Sequence, residues 1–285
     1  MKKDLRVFQT VKTSIGYTIG HWKFLIRIIA PWLGLYALFA LLFQMLGMVD
    51  YLNLSTELNA TIETAKTASV SMDDVIEQLG FETEAIANQL GAWVSVYYIL
   101  DPILHIVIFS RIAIVWHRAY LLGEMQPKIR FGAVEFRFIL YFVGFVTLLF
   151  IALSIAGGIS MGFAESSAKW GFAIIISGLI LFVIAARFLM VFPGIAVGDK
   201  RMNYRKSWQI TKGNGGDLYG GLLLIAFVCI PIFVIKAVIS HLGITAIIAW
   251  PLQLFMWLIC LALLQVFLSI SYQFFMPPPQ AGDLQ

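Results

Sequence analysis

Six long apolar stretches separated by shorter polar segments set the pattern of the chain. They run approximately over Phe24–Met48, Trp93–Trp116, Phe138–Phe163, Trp170–Val197, Leu218–Ser240 and Ile244–Phe275. A helix needs about 20 apolar residues to cross roughly 30 Å of hydrocarbon. Each stretch therefore predicts a transmembrane helix, and together they predict an all-α, polytopic bundle forming a single transmembrane domain. Several stretches exceed the minimum, which implies tilt or extension into the interface. Trp22, Trp93, Trp116 and Trp170 fall near stretch ends, where amphipathic rings favour the membrane–water boundary. The first stretch is too long for a cleavable signal core and no A-x-A site follows it, so it reads as a retained span.

The polar segments fix a predicted orientation. Lys2, Lys3, Arg6, Lys12 and Lys23 precede the first span. Arg118, Lys128, Arg130 and Arg137 follow the second, and Lys200, Arg201, Arg205, Lys206 and Lys212 follow the fourth. The alternate segments offer only Lys66, Lys169 and Lys236. Basic loops stay on the cytoplasmic side, so both termini are expected there, with three in-out-in hairpins between them. Composition agrees: 60% of residues are hydrophobic and 13% charged. Ordinary soluble domains are about 25% charged. A net charge of +4 would suggest nucleic acid in a soluble protein; distributed as here, it points to anionic headgroups at the cytoplasmic face.

Residues 49–91 form the one sizeable external segment, and it is acidic. Ser71 and Asp74 resemble a helix-capping pair, followed by Val75, Ile76 and Leu79 at helical spacing. Either a short surface helix or a solvated linker would fit. Asn53 and Asn59 stand in glycosylation sequons, which matter only in a eukaryotic secretory membrane.

A weak repeat runs through the basic side. Ser14-x3-Thr18-x-Gly20 precedes the first span, and Ser207-x3-Thr211-x-Gly213 precedes the fifth. Arg111-x3-Val115 closes the second, and Arg187-x3-Val191 closes the fourth. The repeat predicts interfacial segments near 5–20, 125–136 and 200–215. The run from Arg187 through Phe192-Pro193-Gly194, with Lys206-Ser-Trp-Gln-Ile-Thr-Lys-Gly213 and a new span, resembles a pattern in six-span bacterial inner-membrane proteins of the YciC-like kind. It is also similar to the membrane domain fused to some glycerophosphodiester phosphodiesterases. The resemblance is sharpest over about 185–225. It implies an inner-membrane location and carries no catalytic residues with it.

Candidate chemistry is sparse. Asp101 lies inside the second stretch, with Pro102 beside it and His105 one turn on. An intramembrane carboxylate is a functional candidate by default. The pair could relay protons or hold a cation in a transporter; alternatively, Asp101 caps a helix that begins at Pro102. Arg111 and Arg187 sit near the cytoplasmic ends of their spans, suited to snorkelling toward lipid phosphate or to converging on an anionic ligand. Arg201, Arg205, Lys206 and Lys212 are anionic-lipid candidates. Lys212–Asp217 is glycine-rich but matches neither a Walker loop nor G-x-G-x-x-G. Gly158-Ile-Ser160-Met-Gly162 matches G-x-S-x-G, and with His241 it raises an intramembrane serine protease. The strand-turn-helix setting of that motif is missing, and the same glycines read as a close-packing motif. Gly16/Gly20, Gly194/Gly198 and Gly216/Gly220 share the spacing. Cys229 and Cys260 lie in apolar spans and read as small hydrophobes, not as a disulfide or metal pair. No cofactor or metal motif stands out. The expectation is a non-enzymatic membrane protein of envelope or lipid homeostasis, or of membrane-protein assembly, compatible with self-association. A transporter using Asp101 and His105 is the alternative.

Overall fold

The computed structural model describes residues 5–47, 90–126, 132–163, 167–241 and 246–276, with isolated positions 60, 81, 84, 85 and 88. Among the described residues the chain is helical. α1 is Val7–Gly20, α2 Trp22–Met45, α3 Ala92–Leu122, α4 Ala133–Phe163 and α5 Ser167–Phe188. α6 is Val191–Ala196, α7 Tyr204–Ile210, α8 Gly215–His241 and α9 Ala246–Phe275. Six stretches are long and apolar enough to cross a membrane: Trp22–Met45, Ala92–Leu122, Ala133–Ile155, Ile176–Ala196, Gly215–Ile235 and Pro251–Phe275. They coincide with the six expected from the sequence. The capping pair Ser71/Asp74, the sequons and Lys66 lie outside the described residues.

Several boundaries moved, and two of the shifts are instructive. The fourth stretch is broken between α5 and α6 rather than continuous to Val197. Pro193 has no N–H to give the Leu189 carbonyl, and its ring would crowd that carbonyl in a continuous helix. The Leu189 oxygen instead accepts from Phe192 N–H at 3.2 Å. The second stretch continues past Trp116 to Leu122 as one helix of 31 residues, about 46 Å long at 1.5 Å per residue. Trp116 was expected at the interface, yet it is 0% exposed. Its indole N–H donates to the Ala262 carbonyl at 3.0 Å, which lets a polar ring edge be buried without loss. Trp22 and Trp93 do stay exposed.

The chain separates into two compact units. The first comprises 1–30, 106–234 and 256–285, the second 31–105 and 235–255. In the first, Met190, Leu218, Leu222, Ile225, Leu263 and Phe267 form one buried cluster, and Phe138, Val191, Phe192 and Ile195 belong to another. In the second, Phe43 and Leu90 are buried against Phe39 and Tyr97. The apolar faces turned outward, among them Phe136, Phe150 and Phe227, would be unfavourable in water and are at home in lipid.

The interfacial segments expected at 5–20 and 200–215 are α1 and α7; much of 125–136 lies outside the described residues. The repeat has a structural counterpart. Ser14 and Thr18 of α1 are buried, and so are Ser207 and Thr211 of α7 and its end. Small polar residues let helices approach closely in lipid.

The glycine motifs fare unevenly. A Cβ on Gly16, Gly20, Gly216 or Gly220 would meet nothing within 4 Å, so these pairs are not packing seams. Gly194 is one, since its Cβ would fall 2.2 Å from Met202 Cγ. The tightest approach in α8 is at Gly221, a neighbour of the expected pair, whose Cβ would stand 2.2 Å from Phe267 Cζ. Phe267 is fully buried and has nowhere to go. Gly221→Ala is expected to destabilise the protein by about 1–3 kcal/mol through overpacking. Gly16→Ala, in open space on α1, should be neutral or stabilise by up to about 1 kcal/mol. Melting both variants in detergent checks the pair; equal behaviour would contradict the α8–α9 packing.

Candidate functional site: a polar layer at the basic end

The turn after α6 buries a charged residue inside the first unit. Gly198 takes φ +80, a conformation open to glycine at little cost, and brings Asp199 inward. Asp199 is 0% exposed. Its Oδ1 accepts from the Arg201 N–H and from Arg201 Nε, both at 2.9 Å. Its Oδ2 accepts from Arg201 Nη2 at 3.0 Å and from the Tyr272 hydroxyl at 2.7 Å. Burial alone raises the Asp199 carboxyl, but the Arg201 and Tyr272 hydrogen bonds and the Arg201 charge outweigh it and hold it below the usual carboxylate value. Arg137 of α4 donates to the Asp199 carbonyl at 3.3 Å and to the Met202 carbonyl. One short turn is thus fastened to both α4 and α9.

α7 follows, and its own contacts fix how it lies. The Asn203 side chain caps it, accepting from Lys206 N–H at 2.8 Å. The Ser207 hydroxyl donates to the Arg187 carbonyl at 2.6 Å. The Arg187 guanidinium stacks 3.6 Å from the Trp208 ring centroid. It also donates to Thr211 Oγ1 at 3.1 Å and to the Trp208 carbonyl at 2.7 Å. Tyr204 donates to the Tyr141 carbonyl, and burial pushes its hydroxyl up to about 12. With α7 held this way, Arg205 and Lys212 are exposed and Lys206 is partly exposed. Of the four lipid candidates, Arg201 is engaged by Asp199, and the other three face outward. Arg187 clamps α7 and does not simply extend along its span.

Arg111 also departs from the snorkelling expectation. It is 5% exposed, and its Nη1 lies 2.6 Å from Glu135 Oε1 in the first turn of α4. The other Glu135 oxygen accepts from Gly132 N–H at 3.0 Å. Nearby, Arg118 grips Glu124 with two parallel bonds of 2.8 Å, a fork geometry suited to guanidinium. Its Nη1 donates to the Ala196 carbonyl at 3.3 Å. Arg111, Arg118, Glu124 and Glu135 line one half-open pocket of about 160 Å³, with Gln126 and Val134.

In the second unit, Asp101 lies ten positions inside α3, which begins at Ala92. It does not start a helix at Pro102, so the capping alternative lacks its helix terminus. The Tyr36 hydroxyl donates to Asp101 Oδ1 at 2.9 Å. His105 Nδ1 is 3.4 Å from the same oxygen and donates to the Asp101 carbonyl at 2.8 Å. The Tyr36 ring meets the His105 ring edge-on at 5.0 Å. Ser160 and His241 are both helical, and their side-chain surroundings lie outside the described residues.

Sequence reasoning missed Asp199, Glu135, Tyr272 and a buried group on α3 and α9. His117 and Ser269 are 0% exposed, and Gln265 is 6% exposed. Ser269 gives its proton to the Gln265 carbonyl at 2.8 Å. His117 Nδ1, 2.7 Å away, must therefore be the donor to Ser269, which places the acceptor nitrogen at Nε2. A signal was present: Gln265, Ser269 and Tyr272 recur at helical spacing within an apolar span. Cys229 and Cys260 are free and buried, and their thiols lie within hydrogen-bonding reach of each other.

No family model, curated protein or solved structure matches the chain. Six membrane-length apolar helices with lipid-suited outer faces define a multi-pass membrane protein.

Proposed function

We propose that this is a non-enzymatic inner-membrane protein of envelope or lipid homeostasis, or of membrane-protein assembly, acting through a basic face on anionic headgroups. Both termini are assigned to the cytoplasm by the lysine and arginine asymmetry. The likeness to YciC-like proteins over 185–225 supports the same location. The observation that carries the reading is α7, clamped by Arg187, Ser207 and Asn203 so that Arg205, Lys206 and Lys212 point outward. A fixed helix presents charge without ordering flexible backbone on each encounter.

Each basic residue near an anionic surface contributes about 1 kcal/mol. Replacing Arg205, Lys206 and Lys212 together with glutamine is expected to weaken binding of phosphatidylglycerol by roughly 100-fold at low salt. The loss should shrink as salt rises. Thermal shift of the detergent-solubilised protein on adding that lipid measures it. Equal shifts for wild type and variant at every salt concentration would remove the lipid reading. The second reading, a transporter, rests on the mid-helix group Tyr36, Asp101 and His105 and is tested below.

A further inference from the structure

We propose that the groove between α4 and α5 holds one acyl chain of an anionic phospholipid, whose phosphate is bound at the groove's basic end by Arg187 and Arg205. The inference rests on the lipid reading above and gives that lipid a seat. The groove has a volume of about 380 Å³ and runs from Ala152 and Leu181 to Phe188 and Tyr204. It follows each helix for about seven residues, or roughly 10 Å at 1.5 Å per residue. One leaflet of a hydrocarbon core about 30 Å thick is roughly 15 Å deep, so the groove takes most of one chain's depth. Every lining side chain except Tyr204 is hydrocarbon, and the Tyr204 hydroxyl already donates to the Tyr141 carbonyl. A polar solute would be desolvated there without a partner, whereas an acyl chain needs none. Leu148 is 61% exposed and Ile184 38%, so the groove opens sideways, toward lipid.

The basic end supplies the charge. The Phe188 ring lies 5.6 Å from Tyr204 and 5.4 Å from Trp208, so the groove ends against α7. Arg187, one residue before Phe188, stacks on Trp208. It gives Nε to Thr211 and Nη2 to the Trp208 carbonyl, and neither bond uses Nη1. At 3.6 residues per turn, Arg205 stands about 60° from Trp208 around α7, and Lys206 about 160°. The exposed Arg205 side chain therefore shares the Trp208 side of the helix, and Lys206 takes the far side. Two guanidiniums beside one apolar groove suit a phosphate that carries a chain. A partner's transmembrane helix would account for the groove but not for the cations at its end; an anionic lipid accounts for both.

The test is native mass spectrometry of the delipidated full chain titrated with phosphatidylglycerol, beside photo-crosslinking with phosphatidylglycerol that carries a diazirine on its acyl chain. The wild type should keep one phosphatidylglycerol at salt concentrations that strip lipids held by surface charge alone. Arg205→Gln should weaken that lipid about tenfold, the scale of one charge-assisted hydrogen bond, while Lys206→Gln leaves it unchanged. Ala152→Phe fills the groove without touching charge. It should lose the retained lipid and keep the salt-sensitive ones. Crosslinks on the wild type should concentrate on residues 145–152 and 181–188, a readout that needs no variant to fold. Crosslinks spread evenly over the outer apolar faces, or an Ala152→Phe protein that keeps its lipid, would overturn the groove and leave the surface reading standing. Equal retention of phosphatidylcholine would overturn the anionic headgroup, and with it the basic-face reading, even with crosslinks in the groove. Displacement by chainless glycerophosphoglycerol would overturn the acyl seat and make the site one for a free phosphate. A wild-type dimer that Ala152→Phe turns into a monomer would put a second copy of the chain in the groove instead.

Discussion

Asp199→Ala is expected to be the most damaging single change at the basic end, lowering stability by about 3 kcal/mol. Three effects combine. The Tyr272 hydroxyl, in a side chain only 2% exposed, loses its acceptor in a closed interior, which costs about 1–3 kcal/mol. The Arg201 N–H loses its acceptor too. The Arg201 guanidinium loses this carboxylate, but at 36% exposure it still reaches water, so that part is small. Tyr272→Phe should recover part of the loss when combined with Asp199→Ala, because it removes the orphaned hydroxyl; a cycle of the four proteins measures the coupling.

The same carboxylate gives a pH dependence whose sign is fixed. Its folded value lies below the ordinary 3.8. Its ionic contribution is therefore fully present above 3.8 and is lost as pH falls through the lower folded value. Wild type and Asp199→Asn should differ in melting temperature at pH 6 and converge toward pH 3. A constant gap across that range would mean that the charge of Asp199 contributes nothing.

What the sequence revealed and what it hid divide along physical lines. Spans announce themselves because bilayer thickness fixes a length of apolar chain, so all six were legible from hydropathy alone. The break at Leu189 was legible in principle, since Pro193 cannot donate one turn back. Arg111 was visible as a charge in a span, but its partner was not. Glu135 lies 24 residues away, at the head of the next helix, and no periodicity links two positions on different helices. Asp199 looked like one more residue of a polar loop. Only the turn at Gly198 and the reach of Tyr272 from α9 show it to be buried. Trp116 misled for a related reason: an aromatic at a span end is an interface residue only if the helix stops there, and α3 continues six residues further to Leu122.

Asp101 separates the two functional readings, and its variants should behave in opposite ways under them. Asp101→Ala is expected to lower the amount of folded protein, because the Tyr36 hydroxyl, in a side chain 6% exposed, loses the acceptor 2.9 Å away. The expected cost is about 1–3 kcal/mol, visible in abundance and in melting temperature. Asp101→Asn keeps an oxygen for Tyr36 and should restore most of it. If the site only joins α2 to α3, asparagine rescues everything that can be measured. If the site carries protons or cations, asparagine rescues folding but not flux, because an amide cannot change charge during a cycle. Proteoliposomes with a pH-sensitive dye inside report which holds. Proton uptake by wild type that vanishes in a fully folded Asp101→Asn protein establishes the transporter. Identical traces from wild type, asparagine variant and empty vesicles leave the tyrosine-to-aspartate bond as a tie between helices. We expect the second result. Tyr36 of α2 already holds one carboxylate oxygen at 2.9 Å, and a group so held is suited to fixing one arrangement rather than alternating between two.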